Sequence, residues 1–254
     1  MPFEYARNLT GRRRTRHGNR QLGLWLAFNA GAANAGGFLA VQQYTSHMTG
    51  IVSSMADNLA LGATDLALGG LGALLSFLFG AMCSTIMINI SRRRHMHSQY
   101  ALPLALEAVL LLCFGVLGAQ MMAVPGLFVP LTVMLLCFIM GLQNAMVTKL
   151  SNSEVRTTHV TGTVTDIGIE LGKLIYVNRL QRPGEKPVRA NRERLLINSL
   201  LVCCFFIGGV SGAFGFKYFG FLATVPLAGA LLFFALVPMW DDLRLSWTLW
   251  RRKR

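Results

Sequence analysis

The sequence predicts an all-α, polytopic membrane protein, with six transmembrane helices and two re-entrant half-helix segments in an inverted repeat. Three observations carry that prediction. Six stretches are apolar over about the 20 residues that a membrane-crossing helix needs. Only 14% of the residues are charged, against about 25% in an ordinary soluble domain. A polar signature also occurs twice, once in each half of the chain.

Taken in order, the apolar stretches are 22–41, 66–90, 101–123, 128–148, 195–215 and 219–239. The first follows a basic segment with Arg7, Arg12, Arg13, Arg14, Arg16 and Arg20. It resembles a signal peptide up to Ala33-Asn34-Ala35, but the later apolar segments favour an uncleaved first span. Glu107 stands early in the third stretch, where its stem would let the carboxylate snorkel to the surface. In the fifth, Gly208, Gly212 and Gly215 form a small-residue face suited to helix packing. Two weaker segments, 45–61 and 157–177, are helical in pattern but carry Thr, His, Asn, Asp and Glu. The expected organisation is a basic N-terminal segment 1–21, one membrane domain 22–240 (repeats 22–123 and 128–239) and a basic tail 241–254.

The net charge of +13 tests the topology. Basic residues concentrate in cytoplasmic loops. If both weak segments crossed fully, the loops with Arg92, Arg93, Arg94 and with Lys149, Arg156 would fall outside. If each dips in and returns, every basic residue except Lys217 is cytoplasmic. The second arrangement is expected, in a bacterial inner membrane with both termini in the cytoplasm. The same spread of charge over membrane-flanking stretches argues against nucleic acid as a partner. Cys83, Cys113, Cys137, Cys203 and Cys204 all lie in apolar runs without metal-ligand spacing, so neither metal nor cofactor is expected.

The duplicated signature reads Thr45-Ser46-His47-Met48-Thr49-Gly50 and Thr157-Thr158-His159-Val160-Thr161-Gly162. Upstream, Gly31, Asn34 and Ala35 match Gly141, Asn144 and Ala145. Three crossings per repeat is odd, so the second repeat enters from the opposite side. Such inverted repeats with broken segments occur in secondary transporters. Broken backbone survives at membrane depth only inside protein or beside water. Thr49 and Thr161 are expected to cap half-helices that start near Gly50 and Gly162. Their N-termini would face each other at mid-membrane and attract a small anion. The candidate binding residues are therefore Thr45, His47, Thr49, Gly50, Thr157, His159, Thr161 and Gly162, with Asn34, Gln143 and Asn144 beside them. Asp166 and Glu170 share a helix face and suit proton or cation coupling. Their first-half counterparts are the neutral Ser54 and Asn58, while Asp57 is placed at the outer vestibule.

These residues carry a resemblance. Met48-Thr49-Gly50, the Met140-Gly141-Leu142-Gln143-Asn144-Ala145 block and the run from Val155 to Asp166 resemble the YoaK family of bacterial integral membrane proteins of unknown function. The resemblance covers most of 20–240 and implies a multi-span inner-membrane protein. The family commonly has Asp at the position of Asn34 and Asn at that of Ile51. The expected function is a secondary transporter or permease of a small, anionic solute. Its rivals are a channel, a non-transporting membrane protein and an intramembrane enzyme, the last without any HExxH or GxSxG motif. The expected partners are the lipid bilayer and the solute, with homo-oligomer formation left open.

Overall fold

The computed structural model describes residues 16–94, 96, 99–120, 125–150, 158–177 and 187–252. Within them the chain forms α1 (Arg16–Val41), α2 (Met48–Ala60), α3 (Thr64–Arg93), α4 (Ala101–Gln120), α5 (Pro125–Leu150), α6 (Val160–Ile175), α7 (Arg192–Phe219) and α8 (Thr224–Arg252). No strand occurs among the described residues. Five stretches are long and apolar enough to cross a membrane: Gly18–Val41, Thr64–Arg93, Ala101–Gln120, Phe128–Leu150 and Arg192–Leu236. The last holds both of the final expected spans. The chain is broken there at Gly220, whose φ of 58° suits glycine. A single 3-10 turn, Gly220–Ala223, follows, so α8 begins at Thr224 and not at 219.

Local chemistry sets several helix ends. Pro125 opens α5, where its missing N–H costs nothing. Asn191 caps α7, its Oδ1 accepting from the Arg194 N–H at 3.0 Å. The starts of α1 and α7 lie side by side, joined by an Arg20–Glu193 ion pair. Asn19 Nδ2 of α1 donates to the Leu150 carbonyl of α5 (3.2 Å), and Lys149 Nζ donates to Asn89 of α3 (3.4 Å). These bonds gather the Arg- and Lys-rich helix ends on one side, called here the basic end.

Two close helix crossings form the scaffold. A Cβ on Gly31 would lie 2.0 Å from the Phe205 carbonyl oxygen, and one on Gly208 2.0 Å from that of Phe28. In the other crossing, a Cβ on Gly80 would lie 2.0 Å from the Phe138 oxygen, and one on Gly141 2.0 Å from that of Phe77. Each glycine stands three residues after the phenylalanine that serves its partner, so one Phe-x-x-Gly pattern occurs on α1, α3, α5 and α7. Lipid supplies no hydrophobic drive between helices, and close backbone approach through glycine replaces it. The spacing allows Cα–H···O contacts. The expected packing face on α7 is present: Gly212 also abuts Ala32, while Gly215 is looser, 3.4 Å from Ala223 Cβ.

The buried centre joins α4 and α8 to α1 and α5 through residues such as Leu26, Leu104, Leu111, Met140 and Leu231. Large apolar side chains on the outer faces, among them Leu66, Phe79, Ile86 and Phe206, are exposed, as lipid-facing residues are. Glu107 departs from expectation. It does not snorkel but is only 1% exposed. Leu104, Ala108 and Leu111 share its helix face, and that face packs inward.

Candidate functional site

Both polar dips are built from their own sequence signatures. After α1 the chain reverses at Gln42, whose φ is 54° and whose N–H donates to the Phe38 carbonyl at 2.8 Å. It then retraces α1. Tyr44 stacks on Phe38 with centroids 4.5 Å apart. Thr45 comes beside Gly37, and Ser46 Oγ donates to Asn34 Oδ1 at 2.9 Å. Asn34 precedes Val41 by about two helical turns, so the dip returns about 10 Å along α1. In the second half Thr158 Oγ1 donates to Asn144 Oδ1 at 2.7 Å. By the same measure that dip reaches back about 9 Å along α5. The two amides singled out from the sequence therefore tether the two dips.

His47 and His159 are the N-cap residues of α2 and α6, with similar backbones (φ −94°, ψ 70° and φ −85°, ψ 57°) and no side-chain cap bond. Their carbonyls accept from the Ile51 and Thr163 N–H groups, each at 3.1 Å. The expected capping by Thr49 and Thr161 is thus corrected: the helices start before these threonines, both of which are exposed. Each glycine of the signature makes room for a histidine ring. A Cβ on Gly50 would lie 2.3 Å from His47 Cδ2, and one on Gly162 2.2 Å from His159 Nδ1. Both rings stay exposed over the first turn of their helices. With 13 and 16 residues, α2 and α6 are about 20 and 24 Å long. Neither is long and apolar enough to cross a membrane.

The remaining candidates divide. Thr45 is fully buried with its hydroxyl unpartnered, and Thr157 and Arg156 lie outside the described residues. Gln143 is buried and donates to the Leu26 carbonyl at 3.2 Å, binding α5 to α1. That bond and the Asn19–Leu150 bond fix α1 antiparallel to α5, which places Asn144 about 13 Å from Asn34 along the helix axes. Among the described residues, the tethering hydrogen bonds of each dip stay within its own half.

Asp166 and Glu170 are not in the dip but between α6 and the start of α7. Arg194 Nη2 donates to Asp166 Oδ2 at 3.1 Å. Lys173 Nζ donates to Glu170 Oε1 at 2.8 Å, and the Asn191 N–H donates to Oε2 at 2.6 Å. The Lys173 hydrogen bond, and after it the Asn191 N–H, hold the Glu170 carboxyl below the usual carboxylate range. No cluster of metal-ligating side chains occurs among the described residues. Sequence reasoning missed Asn29, whose Nδ2 donates to the buried Glu107 Oε1 at 3.4 Å. The inward periodicity around residue 107 was the available signal.

Long apolar helices, lipid-type glycine crossings and two half-helices entered by broken chain define a helical membrane protein. Its family follows from comparison. Residues 22–237 match the family described as "Protein of unknown function (DUF1275)", and the chain belongs to that family. The UPF0700 transmembrane protein YoaK of Bacillus subtilis (strain 168) is 24% identical over 205 residues, covering 80% of this chain and 86% of that protein. No solved structure matches.

Proposed function

We propose that this protein is a secondary transporter of a small anionic solute, with its halves in inverted topology and its basic end in the cytoplasm of a bacterial inner membrane. One observation carries the reading. The same device is built twice, with an amide tether, a histidine N-cap and a glycine under the ring, on two half-helices that leave by opposite ends of the fold. The paired Phe-x-x-Gly crossings support the duplication, because each half supplies one partner to each crossing. The dips are then the two mouths of one path. Outside, the solute meets His47, Thr49 and the free N–H groups of α2; inside, it meets His159, Thr161 and those of α6. An uncapped helix N-terminus favours an anion, and an imidazole adds a donor. Rocking one half against the other would open the mouths in turn. The ion pairs of Asp166 and Glu170 would break as α6 moves, which is where a proton could couple.

The test is uptake into vesicles reconstituted with the full chain, scanned over inorganic and carboxylate anions. Saturable, gradient-driven uptake that H47A and H159A each abolish, with the variants still folded, is the expected result. Uptake that does not saturate would make the protein a channel. Unchanged uptake in both variants would reduce the histidines to structural parts. Cysteines at the ends of α2 are expected to label only from outside and those at the ends of α6 only from the cytoplasm. Labelling of Leu61→Cys from the cytoplasm would overturn the topology.

A further inference from the structure

Glu107 and Asn29 hold an unfinished pair of hydrogen bonds. Asn29 Nδ2 already donates to Glu107 Oε1 at 3.4 Å. On the same two side chains, Asn29 Oδ1 and Glu107 Oε2 are both buried without a partner. Both residues are at least nine-tenths buried, Asn29 at 5% and Glu107 at 1% exposure. Two acceptors left over from one acid and one amide lack a single hydrogen. A proton on Oε2, donated to Oδ1, would complete a ring of two hydrogen bonds and satisfy every lone group. No donor of a described residue is within hydrogen-bond reach of either atom. The core on this face is apolar, with Leu104, Ile88, Met140 and Phe234. Of the charged groups on the helices packed there, Arg20 pairs with Glu193, Lys149 with Asn89, Arg92 with Gln99 and Tyr100, and Arg194 with Asp166 at the basic end, while Lys217 lies at the far end of α7 over the Tyr218 ring. On α8, the side chains of Asp241 and Asp242 lie outside the description. An apolar groove of about 700 Å³ between α1, α7 and α8 runs from Leu222 and Phe219 past Phe216 and Phe28 to Asn29, the amide member of the pair.

We propose that Glu107 and Asn29 form a proton-holding acid–amide pair inside the membrane domain, a site separate from both dips and reached from the lipid through this groove. The inference does not rest on the transport reading. The full-length protein in liposomes is treated with dicyclohexylcarbodiimide, a lipid-soluble reagent that needs a protonated carboxyl. The acid adds across an N=C bond, its proton passing to nitrogen; the resulting O-acylisourea shifts its acyl group from oxygen to nitrogen, and the stable acylurea is mapped by mass spectrometry. An adduct at Glu107 is expected, falling about tenfold per pH unit on the alkaline limb as a single proton site must. E107Q should lose that adduct yet fold normally, because a Gln–Asn amide pair makes the same two bonds. An adduct confined to Asp166 and Glu170, or one at Glu107 indifferent to pH, overturns the proposal. If no adduct forms, infrared spectra of the wild-type protein with ¹³C-labelled glutamate decide. A protonated carboxylic C=O band at neutral pH that vanishes in alkali upholds the pair, and its absence refutes it.

Discussion

The two dips share a backbone and differ in what holds their half-helices down. On the first, α2 lies along α3 through apolar contact. Met55 fills the space over Gly70, and Ile51 packs with Ala73 and Cys137. The side chains of Ser54 and Asn58 bond to each other, Asn58 Nδ2 donating to Ser54 Oγ at 3.3 Å. On the second, α6 is fastened to the start of α7 by charge, through Asp166–Arg194 and through Glu170 with Lys173 and the Asn191 N–H. The two dips therefore share the part that shapes the chain entry and differ in their outer contacts. Apolar packing is indifferent to pH and salt. A carboxylate latch is not, so the difference gives each half its own sensitivity.

The largest expected effect tests whether the scaffolds beneath the dips are as alike as the glycine contacts imply. Gly208→Ala and Gly141→Ala each drive a Cβ to 2.0 Å from a carbonyl oxygen. Backbones must separate, and a loss of about 3 kcal/mol, at the upper end of overpacking costs, is expected for both. Gly69→Ala and Gly168→Ala have open space around them and should gain up to about 1 kcal/mol of helix propensity. Thermal unfolding in detergent measures all four. A clear inequality between the first two would end the equivalence of the crossings.

Next come the two fastenings. Met55→Ala uncovers Gly70 and removes a half-buried side chain, at about 1.5 kcal/mol. It should speed thiol labelling of Thr49→Cys and leave Thr161→Cys unchanged, equally at low and high salt. Glu170→Gln should do the reverse, with several-fold faster labelling at 161 and none of the change at 49. Acid sharpens the contrast. The carboxyl of Glu170 binds protons less readily folded than unfolded, so its contribution is present above the unfolded value of about 4.3 and is lost as pH falls through the lower folded value. Below about pH 4 the second dip should therefore loosen while the first does not. Equal acceleration at both sites would show that the charges on α6 hold nothing.

Much of this comparison was written in the sequence. The spans were readable because a membrane helix needs a long apolar run, and the tethers because Asn34 and Asn144 precede their signatures by nearly equal distances, 11 and 13 residues. A break between the last two spans was readable around Lys217, but its place at Gly220 was not, because the chain stays apolar on both sides of it. The caps were misplaced because threonine is the better N-cap on propensity, whereas here the turn ahead of each helix delivers histidine to that position. How deep the dips reach depends on where α1 reverses. That reversal rests on Gln42 adopting a positive φ, which nothing in a glutamine announces. The four Phe-x-x-Gly patterns were in plain view but became informative only once each glycine met the other helix's phenylalanine carbonyl.

The smallest expected effect addresses the feature the two halves hold most nearly in common. Asn34→Ala removes the acceptor of Ser46, and Asn144→Ala that of Thr158. Each partner is only part-buried, so the freed hydroxyl can find water and the loss should be about 1 kcal/mol. A single variant cannot separate the lost bond from lost packing. The double-mutant cycles Asn34→Ala with Ser46→Ala, and Asn144→Ala with Thr158→Ala, can. If the dips are two copies of one device, both cycles return the same coupling within about 0.5 kcal/mol. A coupling near zero in one half would mean that its dip is held in place by the fastening of its half-helix alone, and that the tether there is inherited but idle.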